Sequence, residues 1–341
     1  MLALRALGQH SDCLRLVEVA TPTPAQGEVL LRVRAAAICG SDIHIRYGDV
    51  SWRMDYPVTI GHEFCGEVVV TGDGVGTAIG ERVVSETAAH VDASSHWSRV
   101  GKYNLDPDRL GFGAAADGGM ASYVVVPERC LHRLPHAVSF EVGALAEPLS
   151  VAYQATCVRS DVKPGDEVAV IGAGPIGLLC AFLARRSGAS SVVVCGLPSD
   201  QRRSSIAGAL GADALLTGAD AGRQRFRRTR LGGADLVIDA AGVSTSLQLA
   251  LDLVRPDGQV TKVGWGPQPL GFSLDPLVAK GATLRGSFSH TWDVWERVLG
   301  LLEREAETIS SIIGWSGPLD RWAEAFAAQE SGNVIKSVLF P

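Results

Sequence analysis

Two short segments of the chain carry side chains that bind metals. Cys39-Gly40-Ser41-Asp42-Ile43-His44 and Gly61-His62-Glu63-Phe64-Cys65-Gly66 offer a thiolate, an imidazole and a carboxylate. These are the three side-chain types that coordinate Zn²⁺. Downstream, Ile171-Gly172-Ala173-Gly174-Pro175-Ile176-Gly177 has the spacing of a loop that holds a dinucleotide pyrophosphate. A zinc Lewis acid beside a nicotinamide is equipment for oxidising an alcohol. The metal lowers the pKa of a bound hydroxyl, and the alkoxide then releases hydride.

A glycine fingerprint alone is a weak signal, but here an apolar strand precedes it and an apolar helix follows. Gly172 permits the tight turn, Gly174 lets the backbone approach the pyrophosphate, and Gly177 lets the helix pack on the sheet. The helix starts at Pro175, which has no N–H of its own, so the free N–H groups offered to the phosphates begin at Ile176. An acidic residue is expected at the end of the second strand, where it would hold the ribose hydroxyls. The chain there reads Val194-Cys195-Gly196-Leu197-Pro198-Ser199-Asp200-Gln201-Arg202-Arg203, with Gly196 in the place of the acid. Losing that carboxylate removes repulsion against a 2′-phosphate, and Arg202 or Arg203 could pair with one. The sequence therefore leans toward NADP over NAD, although Asp200 in the same loop could reach the ribose instead.

The elements that must position these residues follow from pattern. Residues 1 to about 150 hold short β patterns broken by Gly and Pro, such as Val29–Val33, Gly66–Val70 and Ala121–Val126. They imply an irregular β-barrel-like domain over 1–149. From 150 to 287 strands and helices alternate, which predicts a doubly wound α/β domain with a parallel sheet. Its strands are expected at Val168–Ile171, Val192–Cys195, Leu236–Ile238 and Gln259–Val263, and its helices at Pro175–Ser187, Gln201–Leu210 and Ser246–Val254. Residues 288–341 supply helices at Trp295–Glu305 and Leu319–Gln329 and a strand at Val334–Phe340, and are expected to return to the first domain. A short joint near Pro148 implies apposed domains with a cleft.

The chain has 341 residues, 46% hydrophobic and 20% charged, with a net charge of −6, which describes an ordinary globular protein and argues against nucleic-acid binding. The basic run Arg223–Arg230 reads as a solvated face. No signal-peptide pattern follows Met1, and the longest apolar run, Val168–Ala184, contains the glycine motif and is no membrane span. Seven scattered cysteines form no disulfide framework and fit a reducing cytoplasm.

Taken together, these segments resemble the zinc-dependent medium-chain dehydrogenases, and among them the polyol (sorbitol-type) branch. Gly61-His62-Glu63 with Gly66, Gly72 and Val75 matches the family's zinc signature, and Glu147-Pro148-Leu149-Ser150-Val151 matches the segment that supplies a further carboxylate. The resemblance implies a GroES-like catalytic domain and a Rossmann-type domain. It implies one catalytic zinc held by Cys39 and His62, with Glu63 or Glu147 completing the set. It further implies a proton relay through Ser41 and His44, a small alcohol as substrate, and assembly into a homodimer or homotetramer. The apolar segment Thr283–Phe288 could be the assembly edge or an internal strand.

The chain also departs from that family. Many relatives hold a structural zinc with cysteines spaced C-x2-C-x2-C-x7-C. Here those positions fall on Asp92, Ser95, Ser98 and Asp106, so no structural zinc is expected. The region Gly286–Trp292 lacks the Arg-Tyr pair of animal sorbitol enzymes. Ser289 and His290 face the pocket or cap the next helix, and Tyr47 and Trp52 are candidate pocket residues. No arginine cluster marks a sugar-phosphate site, so the expected substrate is a neutral polyol or secondary alcohol. A threonine-type amino-alcohol dehydrogenase is the second reading. A zinc-free reductase or non-catalytic cofactor-binding protein is the third, opposed by the joint presence of Cys39, Ser41, His44, His62, Glu63 and Glu147.

Overall fold

The computed structural model describes residues 1–266 and 269–341. Contacts divide the chain into two compact units, Met1–Glu147 with Thr291–Pro341, and Pro148–His290.

The first unit is built on a seven-stranded sheet. Its path runs Leu131–Arg133, Arg82–Ser85, Glu63–Thr71, Glu28–Ala37, Lys336–Phe340, Ile313–Pro318, with Tyr123–Pro127 also paired to Glu28–Ala37. Glu28–Ala37 alternates well enough to bury Val29, Leu31, Val33 and Ala35 on one side while Arg32 and Arg34 stay exposed. The buried side joins Phe64, Val68, Phe326 and Leu339 in the main core of this unit. The last fifty residues thus complete this sheet: Val338 pairs with Ala37 and Leu339 with Ala36.

The second unit carries six parallel strands in the order Ala214–Thr217, Ser191–Gly196, Glu167–Ile171, Ala234–Asp239, Val254–Lys262, Thr283–Gly286. That order reverses beside Glu167–Ile171, the arrangement that creates a ligand crevice at the carboxyl ends of the strands. Val168, Ala169, Val170 and Ile171 are all buried, as a strand covered on both faces requires. The doubly wound sheet is therefore as expected.

Several elements differ from expectation. The helix expected at Gln201–Leu210 is a 3₁₀ turn, Pro198–Arg203, followed by a short α-helix, Ser204–Ala209. Pro198 at its first position and the Asp200 carboxylate on the Leu197 N–H, at 2.9 Å, start that turn early. Strand Ala214–Thr217 and helix Ala219–Arg227 were not foreseen. The basic run is only partly a solvated face, since Arg223 pairs with Asp220 and Asp252, and Arg225 with Glu167. Thr283–Gly286 is an edge strand of the six-stranded sheet. No helix among the described residues is long and apolar enough to cross a membrane.

Candidate active site

Strand register assembles the metal-binding side chains. Ala37, which ends strand Glu28–Ala37, pairs with Glu63, which begins strand Glu63–Thr71. Cys39 lies just past one end and His62 just before the other, so residues far apart in sequence leave the sheet at one corner. Donor atoms of Cys39, His62 and Glu63 all lie within 4.8 Å of one another, and the described residues contain one such group. A sulfur, a nitrogen and an oxygen at that spacing suit a tetrahedral zinc with one position left open. Helix Gly40–Tyr47 begins directly after Cys39, and the buried Asp42 accepts the Cys39 N–H at 2.8 Å, which fixes the thiol-bearing turn.

The electrostatics of this corner favour a cation. Burial alone would depress the His62 imidazole, but Cys39, Asp42 and Glu147 together hold it well above its ordinary value. Burial pushes the Glu63 carboxyl up against the pull of Lys336. Lys336 Nζ donates to Glu63 Oε1 at 2.7 Å and to the Ile38 carbonyl at 2.8 Å, and both side chains are about fully buried. Burial would depress this ammonium, yet Glu63, Cys39 and Glu147 outweigh it and keep its pKa above that of an ordinary lysine. Glu147 is also buried and its charge acts on His62 and Glu63, but it lies outside the group of three.

Two further residues sit on helix Gly40–Tyr47. The Ser41 hydroxyl is buried and has no hydrogen-bond partner among the described residues. Such a group is unfavourable unless something else occupies the space before it. His44, almost one turn on, is exposed, with Nδ1 3.4 Å from Asp49. One short helix therefore presents a hydroxyl inside and an imidazole outside.

In the second unit the glycine loop fits a pyrophosphate. Gly172 has φ +105°, a backbone open to glycine. A Cβ on Gly177 would stand 1.8 Å from the Gly172 carbonyl oxygen, so only glycine lets the helix approach, whereas a Cβ on Gly174 would meet nothing within 4 Å. That open space faces the start of the twelve-residue helix Pro175–Arg186, whose first N–H groups, around Ile176, lack helical partners.

The second strand ends at Gly196. Gly196 does leave its own position without an acid, but the position is not free of a carboxylate. A Cβ on Gly196 would find Asp200 Oδ2 at 3.0 Å. Asp200 also pairs with Arg203 at 3.0 Å, and Arg203 donates to the Ala173 carbonyl within the glycine loop at 2.9 Å. Arg202 lies on the exposed side of the same turn.

The lobe that replaces four cysteines is knotted by hydrogen bonds. Ser95 Oγ donates to the buried Asp106 at 2.5 Å and accepts the Ser98 N–H at 3.1 Å, while Asp92 accepts the Ser94 N–H and hydroxyl at 2.7 Å each. Of the pocket candidates, the Tyr47 hydroxyl is committed to Glu330 at 3.1 Å, and Trp52 packs on the core. Neither Ser289 nor His290 caps the following helix; Thr291 is its N-cap.

Comparison with known proteins agrees with this layout. Residues 25–136 match the alcohol dehydrogenase GroES-like domain, and residues 175–304 match the zinc-binding dehydrogenase domain. A sorbitol dehydrogenase from Halalkalibacterium halodurans is 34% identical over 324 residues, covering 94% of this chain and 93% of that one. An L-threonine 3-dehydrogenase from Pyrococcus horikoshii is 34% identical over 334 residues, covering 95% and 94%. The chain belongs to the zinc-dependent medium-chain dehydrogenases. Among solved structures, an Escherichia coli CFT073 alcohol dehydrogenase complexed with NADH superimposes with a TM-score of 0.91 at 27% identity, covering 100% of this chain and 99% of that one. A zinc-binding dehydrogenase from Sinorhizobium meliloti 1021 bound to NADP gives a TM-score of 0.89 at 28% identity, with the same coverage. As a member of this family the chain is an NAD(P)-dependent alcohol dehydrogenase.

Reading the sequence missed Lys336, Asp42 and Gln329. Gln329 donates to the Ile38 carbonyl at 2.9 Å, the same oxygen that Lys336 holds. A lysine inside an otherwise apolar strand was the available signal for Lys336.

Proposed function

We propose that the chain oxidises a neutral polyol or a related secondary alcohol, with Cys39, His62 and either Glu63 or Glu147 holding one catalytic zinc. The observation that carries this reading is the group of three donor atoms within 4.8 Å, two residues from a buried hydroxyl that has no partner among the described residues. A zinc bound there would polarise the substrate hydroxyl, and a bound nicotinamide would supply the acceptor for the hydride on the carbinol carbon. Ser41 accepts the hydroxyl proton only as it hands its own on, and His44, exposed on the same helix, is the end of that relay and releases the proton to solvent. Lys336 keeps Glu63 compensated whenever that carboxylate is not used by the metal. Gly172, Gly174 and Gly177 make room for the pyrophosphate, and Pro175 and Ile176 start the helix that receives it.

In this reading residues 1–149 and 288–341 form the catalytic domain and 150–287 the dinucleotide-binding domain. The hydrogen-bond knot at Ser95 and Asp106 supports a lobe that needs no second zinc. The exposed edge strand Thr283–Gly286 supports pairing of two copies into a homodimer, or of dimers into a tetramer. Seven free cysteines support a cytoplasmic setting. The sorbitol dehydrogenase relative supports a polyol, and the equally similar threonine dehydrogenase supports an amino alcohol as the second reading. A panel of polyols, sugar acids and amino alcohols, assayed with both cofactors, separates them. Turnover of polyols that is lost in Cys39→Ala is expected. Turnover confined to threonine-like substrates would transfer the assignment to the second reading.

A further inference from the structure

The geometry points to Asp200 as the residue that selects the cofactor: it holds the adenosine ribose hydroxyls from beyond the strand end and turns the chain toward NAD. This rests on the reading of Pro148–His290 as the dinucleotide-binding unit. A dinucleotide seated on the glycine loop extends its adenosine past the end of the second strand, where an acid accepts the ribose hydroxyls. Here Ser191–Gly196 ends in glycine, yet a carboxylate stands at that place all the same. A side chain built on Gly196 would run into Asp200, with Oδ2 at 3.0 Å and Cβ at 3.1 Å, and into the Ala173 Cβ at 3.3 Å. Glycine at 196 and aspartate at 200 are therefore one feature: the missing side chain makes the space that the later carboxylate fills.

The carboxylate is also fixed in place. It accepts the Leu197 N–H at 2.9 Å and pairs with Arg203 at 3.0 Å. Arg203 in turn donates to the Ala173 carbonyl at 2.9 Å, which ties the strand end to the glycine loop. Each carboxylate oxygen has two acceptor sites, so Asp200 retains capacity for ribose hydroxyls beside these partners. Its negative charge opposes a 2′-phosphate at the same spot. Arg203, with a side chain only 14% exposed, is already engaged and would have to break both contacts to reach a phosphate. This reverses the NADP preference that Gly196 and Arg202 imply in the bare sequence.

The test is calorimetric titration of NAD and of NADP into the zinc-loaded full-length protein, for the wild type, Asp200→Asn, and the swap Gly196→Asp with Asp200→Ala. Asparagine keeps the size of the side chain and an acceptor for Leu197 while removing the charge. The wild type is expected to bind NAD more tightly than NADP. Asp200→Asn should weaken NAD by about tenfold, the difference between a charge-assisted and a neutral hydrogen bond, and should move the ratio toward NADP. The swap should keep the NAD preference, because it returns a carboxylate to the same space. A wild type that prefers NADP, or a ratio unchanged by Asp200→Asn, would overturn the inference. Binding of neither nucleotide to the wild type would instead remove the dinucleotide reading on which the inference stands.

Discussion

Lys336→Met is the most informative perturbation of the metal corner. Lys336 and Glu63 are 2% and 1% exposed, and Lys336 Nζ lies 2.5 Å from Glu63 Oε2. Removing one partner of such a buried pair leaves an uncompensated charge and costs about 3–5 kcal/mol. In the metal-free protein at neutral pH, urea unfolding should register a loss of this size. The pH dependence has a definite sign. Burial already pushes Glu63 above its ordinary value, and without Lys336 only the charge of His62 opposes that rise. A folded-state pKa raised above the unfolded one means that the stability of the variant is best below the ordinary carboxylate range and falls as pH rises through the folded value. In the wild type, Lys336 has a folded-state pKa above that of an ordinary lysine. Its contribution is therefore fully present below the ordinary lysine value and is lost only as pH rises through the folded one. The gap between variant and wild type should thus widen as pH rises above the ordinary carboxylate range. Adding Glu63→Gln to Lys336→Met should recover most of the loss, and zinc should shrink it by supplying the missing positive charge. A loss under about 1 kcal/mol, the scale of an exposed pair, that does not change with pH would refute the reasoning.

Other outcomes follow from the same structure. Ser95→Ala removes the hydroxyl that serves the buried Asp106 and the Ser98 N–H, and should destabilise the protein by about 1–3 kcal/mol without changing its zinc content, checked by urea unfolding and elemental analysis. His62 is held well above its ordinary value in the metal-free protein. Zinc must therefore displace a proton from it, and the apparent zinc affinity should weaken as pH falls, with proton release measurable by calorimetry in buffers of different ionisation enthalpy. Burial pushes the thiols of Cys130, Cys180 and Cys195 up to about 12, so none should react with iodoacetamide at pH 8. Cys39 and Cys157 are partly exposed, and mass spectrometry should find alkylation at Cys39 suppressed by zinc.

Legibility in the sequence varied with how local each feature is. Cys39, His62 and Glu63 could be read because each sits in a glycine-flanked segment, and the glycine loop because an apolar strand and helix frame it. Lys336 could not, because its role depends on register: strand Lys336–Phe340 must lie beside Glu28–Ala37 before its first residue can reach Glu63. Asp200 was noticed, but its position over Gly196 depends on a turn that Pro198 starts early. The strand Ala214–Thr217 is half-buried along its whole length, so it shows no alternation to find. Ile313–Pro318 carries two glycines and a proline that dilute a strand pattern, and it forms only as the outer neighbour of Lys336–Phe340. Ser41 and His44 could be singled out as residue types, whereas the lack of a partner for the Ser41 hydroxyl among the described residues required the fold.

The corner formed by Cys39, His62 and Glu63 is expected to hold the metal of this dehydrogenase. Elemental analysis of zinc per chain after gel filtration, on wild type and Cys39→Ala, tests it most directly. About one zinc per chain is expected in the wild type, as a three-ligand site with one open position requires, and none in the variant. A wild type that takes up no zinc after reconstitution, or a Cys39→Ala variant that keeps it, would rule out a metal held at this corner.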